Sequence, residues 1–241
     1  ANSAYAVGGA EAAVNMLNRN LDLNIQDYVS VNFLAVADVV DLLGGIDLDL
    51  TDEEVVHMNN YCVETSEITG KKYKKIEPEV AGTYHLNGVQ AVSYSRIRYT
   101  EGGDFQRTSR QRLVIEKIAE EAKKADLSTI NKIIDAVFPE ITTSFTSGEI
   151  VKMSTSLLQY SIGDNEGFPM DNETPDSIPG YQGSYVVPKG LEENVIKLHK
   201  FLFPDEDYTP TDTVKEISDH IKDVTGIYPD DSEDSTEDNG E

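Results

Sequence analysis

The sequence predicts an α/β layer fold, because helical and strand-like patterns alternate over its first fifty residues. Residues 9–20 repeat apolar side chains at helical spacing, and residues 28–33 alternate apolar and polar side chains as a strand does. A helix then opens at Asn32 or its neighbour. It ends at the glycine pair 44–45, since glycine tolerates the left-handed conformation of a helix C-terminus. Residues 46–50 alternate again. This order of elements is typical of layered α/β domains.

The rest of the chain adds one more predicted strand and several helices. Residues 51–67 read as the start of a helix followed by an irregular stretch, residues 90–99 as a strand, and residues 105–124 as a long helix. Further helices are predicted at residues 127–137, 147–160, 191–203 and 213–225, with a loop rich in Gly, Pro, Asn and Asp at residues 163–190. We expect one domain over residues 1–228 and a disordered acidic tail at residues 229–241.

The charge of the chain is strongly negative, and this limits its partners. The sequence carries 44 Asp and Glu against 20 Lys and Arg, a net charge of −24. A protein that coats nucleic acid or adsorbs on anionic lipid needs a broad basic face, so neither role is expected and any contact with phosphate must be local. The sequence shows no signal peptide and no apolar run of transmembrane length. It starts without Met, in a stretch that reads as the end of one element, so we expect a fragment of a longer protein.

Cysteine and histidine give no catalytic or metal-binding pattern. Cys62 is the single cysteine, so an intrachain disulfide is excluded and a small, partly buried residue is the expected role. The histidines are dispersed without the spacing of metal ligands, at positions 57, 85, 199 and 220. We therefore predict no metal ligand among them.

The arginines point to a bound anion. Five of the six arginines of the chain fall within 17 residues, at Arg96, Arg98, Arg107, Arg110 and Arg112. A guanidinium is a planar, permanently charged fork that fits phosphate or carboxylate. Such a concentration within an acidic protein predicts an anion site, with phosphate as the first candidate.

The predicted elements bring most of these side chains together. On a strand at residues 90–99, Arg96 and Arg98 project from the same face, where the two guanidiniums repel each other unless an anion lies between them. On the following helix, Arg107 and Gln111 share a stripe and Arg110 lies beside them. Cations at a helix N-terminus oppose the helix dipole, whereas the free N–H groups there favour an anion. An anion held by Arg96, Arg98, Arg107, Arg110 and Gln111 would resolve both conflicts.

Each of these residues could also have a role that involves no bound anion. Each arginine could pair with one of the many carboxylates of the chain, and Arg112 lies off the stripe as a surface residue. Asp104 could serve only as the N-cap of the helix. It could also orient a guanidinium or accept a proton.

The motifs around the arginines resemble those of the LytR–CpsA–Psr family of mainly Gram-positive bacteria. The resemblance covers nearly the whole chain. It rests on Leu86-Asn87-Gly88-Val89-Gln90-Ala91, Tyr94-Ser95-Arg96-Ile97-Arg98, Gly103-Asp104 and Arg107-x-x-Arg110-Gln111, with upstream matches at residues 4–9, 31–33 and 40–46.

This resemblance implies a fold and an activity. The fold is an α/β/α sandwich with a central mixed β-sheet flanked by helices, on the outer face of the cell membrane and anchored by an N-terminal transmembrane helix absent here. The activity is that of a phosphotransferase, which moves teichoic acid or capsular polysaccharide from a polyprenyl-pyrophosphate carrier onto peptidoglycan. Such a site would work by stabilising charge on the transferred phosphoryl group and aligning the attacking hydroxyl.

The resemblance also assigns roles to residues. Arg96, Arg98, Arg107 and Gln111 would grip the pyrophosphate, and Asp104 would orient them or assist proton transfer, which makes Asp104, Arg98 and Arg107 the expected catalytic residues. The family uses Mg²⁺ or a similar divalent cation. Its aspartate ligands, with another phosphate-contacting arginine, would lie upstream of this chain, so we expect an N-terminally truncated member.

Two other functions fit the same sequence. One is a non-catalytic module that binds cell-wall polymer or lipid phosphate, and the other is an envelope-linked transcription attenuator. The net charge of −24 disfavours direct contact with DNA.

Overall fold

A computed structural model describes residues 2–156 and 159–230 of the chain. It divides into two compact units, one formed by Asp27–Asp164 and the other by the residues up to Gln26 together with those from Asn165 onward. The prediction of one domain over residues 1–228 stays a prediction. The predicted acidic tail lies, from residue 231 on, outside the described residues.

Helices and short strands alternate along the chain. The helices are α1 (Asn2–Leu21), α2 (Phe33–Leu43), α3 (Asp52–Thr69), α4 (Gly88–Ser95), α5 (Gly103–Lys124), α6 (Leu127–Val137), α7 (Ser147–Thr155), α8 (Leu191–Leu202) and α9 (Asp212–Thr225), with a 3-10 turn at Phe138–Glu140. The strands are β1 (Val29–Val31), β2 (Ile46–Leu50), β3 (Gly82–Leu86), β4 (Ile141–Thr143), β5 (Asn172–Glu173) and β6 (Val187–Pro188).

The mixture of helices and small sheets confirms the predicted α/β class. In the part of the chain that the structure describes, the strands form three antiparallel pairs, β1 with β4, β2 with β3 and β5 with β6, rather than one central mixed sheet. One reason is that residues 90–99, the predicted strand nearest the arginines, contribute no strand. Strands β3 to β6 lie in segments for which the sequence predicted no strand.

Capping residues explain why several predicted boundaries are confirmed. The side chain of Asn32 accepts a hydrogen bond from the backbone N–H of Ala35 and caps α2. Gly44 ends the helix in the left-handed conformation, with φ of 96°. The helix predicted from this pair of signals is therefore correct at both ends.

The stretch predicted as irregular at residues 51–67 is a continuous helix. Thr51 and Glu54 form a capping box, in which each side chain accepts from the backbone N–H of the other residue. Acidic residues fill the first turn of α3, where they favour the positive end of the helix dipole. These signals outweigh the weak amphipathic pattern that suggested irregular structure.

The strand predicted at residues 90–99 is wrong, because this segment begins as helix α4. Asn87 and Gln90 form a second capping box that starts the helix. Every residue from Gly88 to Tyr94 is buried, so no polar face remains to reveal a helical period. The apparent alternation in the sequence carried no information on the secondary structure.

The core of the Asp27–Asp164 unit lies where α2, α3, α4 and α5 meet the antiparallel strand pair β2–β3. Its fully buried members include Val40, Ile46, Met58, Leu86 and Val89. Cys62 belongs to this core, which confirms the structural role expected for it. The close packing fixes the end of α4, and with it the turn that leads into α5.

The other unit packs α1 against α8 and α9. Leu21, Leu191, Val195 and Val214 form its buried cluster. The ring of His199 stacks on another ring of the same unit, that of Tyr208, with centroids 3.6 Å apart. This histidine is accounted for by packing.

Candidate functional site: an arginine cluster at the start of helix α5

The turn between α4 and α5 presents a helix N-terminus that no side chain caps. Gly102 is the N-cap residue of α5 in the left-handed conformation, with φ of 84°, and it provides no side-chain cap. Asp104 lies in the first turn of the helix instead. The interpretation of Asp104 as the N-cap is therefore wrong, because the glycine turn places the cap two residues earlier.

Asp104 joins two of the predicted site arginines. Nε of Arg98 lies 3.0 Å from its Oδ1, and Nη1 of Arg107 lies 3.4 Å from the same oxygen. Arg98 and Asp104 are more than half exposed, whereas the side chain of Arg107 is 22% exposed. The structure thus gathers two guanidiniums and one carboxylate at the uncapped end of α5.

Arg107 keeps one donor that nothing uses. Among the described residues, its Nε is a buried atom without a hydrogen-bond partner. A buried donor left unpaired costs about 1–3 kcal/mol. Nε of Arg112 is in the same state, while its Nη2 donates to Oγ of Ser109 at 3.0 Å.

Arg96 lies against helix α3 rather than beside Arg98. Its guanidinium donates to Oε2 of Glu64 at 2.6 Å and to Oγ1 of Thr65 at 2.9 Å. The rings of Phe33 and Tyr61 flank it at 4.8 and 5.3 Å. The expected common strand face of Arg96 and Arg98 is wrong, because Arg96 is the C-cap of α4 and Arg98 belongs to the following turn.

Arg110 is buried and fully engaged by protein. Its guanidinium donates to Oε1 of Glu54 at 2.9 Å, to Oγ1 of Thr100 at 2.8 Å and to the carbonyl of Ile97 at 3.3 Å. The ring of Tyr94 lies 5.9 Å away, and burial raises the pKa of this tyrosine to about 12. This geometry gives Arg110 a structural role, and the phosphate contact predicted for it stays a prediction.

The three predicted arginines near the turn share two carboxylate partners. Arg96 pairs with Glu64, whereas Arg98 and Arg107 both contact Asp104. Gln111 is exposed on α5, one turn beyond Arg107. An anion placed here would gain from the guanidiniums and from the uncapped helix end.

Sequence reasoning missed a groove beside these arginines. His57, Asn60, Tyr61, Glu64 and Tyr99 line an open cavity of about 480 Å³. Four of them follow helical spacing on α3, a signal that was lost when this stretch was interpreted as irregular. Tyr61 and Glu64 also contact Arg96, so the groove borders the arginine cluster.

No metal site is recognisable in residues 2–156 and 159–230. These residues contain no group of three or more His, Cys, Asp or Glu placed to hold a metal ion. His57 lies 3.8 Å from Glu53, and His85 contacts Asp47 and the carbonyl of Gly44. The residues of this part of the chain do not fit the divalent cation that the resemblance implies.

Comparison with known protein families agrees with the arginine motifs. The sequence model of the LytR_cpsA_psr family matches residues 1–185, a range that includes Asp104 and the arginines at 96, 98, 107 and 110. The chain belongs to the LytR–CpsA–Psr family. The resemblance stated from the motifs is therefore confirmed.

Curated LytR–CpsA–Psr relatives are longer than this chain. Biofilm regulatory protein A of Streptococcus mutans is 32% identical over 164 residues, which cover 67% of this chain and 36% of the relative. The polyisoprenyl-teichoic acid–peptidoglycan teichoic acid transferase TagU of Enterococcus faecalis is 32% identical over 155 residues, or 64% of this chain and 45% of the relative. The chain thus spans less than half the length of these two relatives.

Solved structures of similar proteins share the fold. A transcriptional regulator from Enterococcus faecalis superposes with a TM-score of 0.67 at 24% identity, covering 95% of this chain and 78% of that one. TagV of Bacillus subtilis gives a TM-score of 0.58 at 24% identity, with coverage of 87% and 75%. At this identity the comparison establishes the LytR–CpsA–Psr fold alone.

None of the helices in the described part of the chain combines the length and the apolar character needed to cross a bilayer.

Proposed function

We propose that this LytR–CpsA–Psr chain carries the phosphate-binding part of a phosphotransferase. The enzyme would move an anionic glycopolymer from a polyprenyl-pyrophosphate carrier onto peptidoglycan. The observation that carries the proposal is the Asp104 carboxylate between Arg98 and Arg107 at the uncapped start of α5. The names of the relatives TagU and TagV, both polyisoprenyl-teichoic acid–peptidoglycan teichoic acid transferases, support the same reaction class. Such a reaction takes place on the outer face of the cell membrane in a Gram-positive-type envelope.

The arginines would hold the pyrophosphate and stabilise its transition state. The guanidiniums of Arg98 and Arg107 are placed to donate to non-bridging phosphate oxygens. Arg96 can join from the side of α3, while Gln111 extends the contact along α5. Phosphoryl transfer gains most from positioning and from charge stabilisation of this kind.

Asp104 would act on the attacking hydroxyl. In the proposed step, a hydroxyl oxygen of the peptidoglycan sugar forms a bond to the phosphorus that bears the polymer. The P–O–P bond breaks, polyprenyl phosphate leaves with the bonding electron pair, and the hydroxyl proton passes to the Asp104 carboxylate. The divalent cation implied by the resemblance would supply further charge stabilisation, but the described residues offer no set of ligands for it.

Binding and transfer by Arg98→Ala and Arg112→Ala variants test this proposal. The binding probe is farnesyl pyrophosphate, and transfer is followed as release of polyprenyl phosphate from a polyprenyl-pyrophosphate-linked polysaccharide in the presence of cell wall. We expect Arg98→Ala to weaken binding by about 10- to 100-fold, since a charge-assisted hydrogen bond is lost. Arg112→Ala, the matched control, should bind as the original chain does.

Two outcomes would overturn the proposal. Unchanged affinity of Arg98→Ala would exclude the arginine cluster as the pyrophosphate site. Saturable binding without release of polyprenyl phosphate, even after Mg²⁺ and the preceding segment of a full-length relative are supplied, would favour the non-catalytic binding module.

A further inference from the structure

We propose that the groove formed by His57, Asn60, Tyr61, Glu64 and Tyr99 is a subsite for an uncharged pyranose ring next to the transferred phosphate. The inference rests on the proposed function, because it takes the arginine cluster as the place of the pyrophosphate. It adds a recognition element that would select the sugar rather than the phosphate.

The groove is built by one face of α3 and closed by a tyrosine from the α4–α5 turn. Positions 57, 60, 61 and 64 follow the spacing i, i+3, i+4 and i+7, so their side chains share one face of the helix. Tyr99 stands opposite, with its ring centroid 6.4 Å from that of His57. The volume of about 480 Å³ lies within the range of about 300–1,000 Å³ typical of small-ligand sites.

The lining residues have the chemistry that recognises a sugar. A pyranose offers an apolar face of C–H groups and an edge of hydroxyls, which suit an aromatic ring and planar polar groups respectively. Tyr99 is 75% exposed, so the face of its ring is open to a ligand. Asn60 is exposed on the wall of the groove and carries both donors and an acceptor.

The charges of the groove favour a neutral ring over a second phosphate. The carboxylate of Glu64 lies 2.6 Å from Arg96 and is neutralised by it. His57 lies beside Glu53 at 3.8 Å, so the opposite end of the groove also faces a carboxylate. An additional anion would find the charge of Arg96 already paired at one end and meet the carboxylate of Glu53 at the other, whereas hydroxyl groups could hydrogen-bond to both carboxylates.

Continuity with the arginines places the ring next to the reacting phosphate. Tyr61 and Glu64 contact Arg96, and Tyr99 directly follows Arg98 in the chain. Two sugars meet this phosphate in the proposed reaction, namely the first sugar of the carrier-linked polymer and the sugar that bears the attacking hydroxyl. Either of them would present a sugar ring to the groove, so the experiment has to distinguish the two sources.

Binding measurements with Tyr99→Ala and Asn60→Ala test the subsite. Three probes are titrated: farnesyl pyrophosphate, which has no sugar, a polyprenyl-pyrophosphate-linked disaccharide, and soluble glycan fragments of peptidoglycan. We expect Tyr99→Ala to weaken binding of at least one sugar-bearing probe by about tenfold, while the affinity for farnesyl pyrophosphate stays within about twofold. Tyr99→Phe should restore most of the loss, because the ring is kept.

The matched control is Tyr160→Ala, which removes a similarly exposed tyrosine that does not line the groove. A loss confined to the carrier-linked disaccharide assigns the subsite to the donor, and a loss confined to glycan fragments assigns it to the acceptor. Equal losses for farnesyl pyrophosphate and the sugar probes, or no loss with either sugar probe, would overturn the subsite.

The same titrations separate this proposal from the proposed function. If the original chain and Tyr99→Ala bind every probe alike, while Arg98→Ala loses farnesyl pyrophosphate, the subsite fails and the phosphate site stands. If Arg98→Ala changes nothing but Tyr99→Ala loses sugar, the phosphate site fails and the groove is a sugar site of another kind.

Discussion

Nε of Arg110 lies 2.9 Å from Oε1 of Glu54, and both side chains are largely buried, at 7% and 14% exposure. This pair links the first turns of α5 to the first turn of α3. Glu54 also caps α3, because its other carboxylate oxygen accepts from the backbone N–H of Thr51. One carboxylate therefore fixes the helix that carries the groove and the helix that carries the arginines.

Removal of this carboxylate should destabilise the fold more than removal of an exposed one. Glu54→Ala leaves the buried guanidinium of Arg110 without its counter-charge, at a cost of about 3 kcal/mol. Glu64→Ala breaks a pair whose carboxylate is 60% exposed and should cost about 1 kcal/mol or less. Denaturant unfolding of both variants measures the difference, and equal losses would show that the Arg110–Glu54 pair is not effectively buried.

Replacement of Asp104 should separate binding from transfer. Asp104→Asn removes the carboxylate that anchors Arg98 and Arg107, which weakens binding, and it removes a negative charge that repels the pyrophosphate, which strengthens binding. Because the two effects oppose each other, we expect the affinity for farnesyl pyrophosphate to change by about threefold at most. Loss of the proton acceptor should lower the transfer rate by about 100-fold or more. A variant that transfers at the original rate would limit Asp104 to orienting the arginines.

Local signals were enough to predict some elements and could not predict others. Asn32 and Gly44 marked both ends of α2, because caps act within a few residues. Helix α4 was misread, because periodicity exists only where one face meets water and its residues are buried on all sides. Its capping box, Asn87 with Gln90, was the signal that could have identified it.

The sequence likewise predicted one part of the candidate site and could not predict the other. The concentration of arginines and the start of α5 were visible in the sequence, and these place Arg98, Asp104 and Arg107 together. The carboxylate partners of Arg96 and Arg110 lie on α3, 32 and 56 positions away in the chain. Only packing decides such pairs, so the sequence could not distinguish a buried structural arginine from one that faces a ligand.

Cys62 should be inert in the folded protein. The side chain is fully buried, and burial raises the pKa of its thiol to about 11. Because the thiolate is the reactive species, we expect a disulfide reagent at pH 8 to modify the folded chain at least about 100-fold more slowly than the denatured chain. A reaction at the same rate in both states would show that this part of the core opens readily.

The antiparallel strand pair β2–β3 should lose stability as the pH rises. Both ring nitrogens of His85 face acceptors, with Oδ1 of Asp47 at 2.6 Å and the carbonyl of Gly44 at 2.7 Å. The hydrogen bond to Asp47, followed by that to Gly44, raises the pKa of His85 above its ordinary value of 6.5. The stabilisation is thus complete below about pH 6.5 and disappears as the pH rises through the higher folded-state pKa.

This pH dependence is checked by measuring the free energy of unfolding across pH 5–9 for the original chain, His85→Gln and Asp47→Asn. Since the ring is largely exposed, we expect a small effect that both variants diminish. A pH profile that neither variant alters would assign the dependence to other groups.

The contact between α4 and α2 should tolerate no side chain at Gly88. A Cβ at this position would overlap the backbone carbonyl of Ala37 and lie 2.6 Å from its Cα. Neither helix can yield without moving the buried core, so Gly88→Ala should destabilise the protein by about 2 kcal/mol or more. Gly148→Ala is the control, because nothing lies within 4 Å of the added Cβ and alanine favours the helix by about 0.5–1 kcal/mol. If both substitutions proved neutral or stabilising in denaturant unfolding, the close approach of the two helices would be wrong, and with it the placement of the turn that carries Arg98.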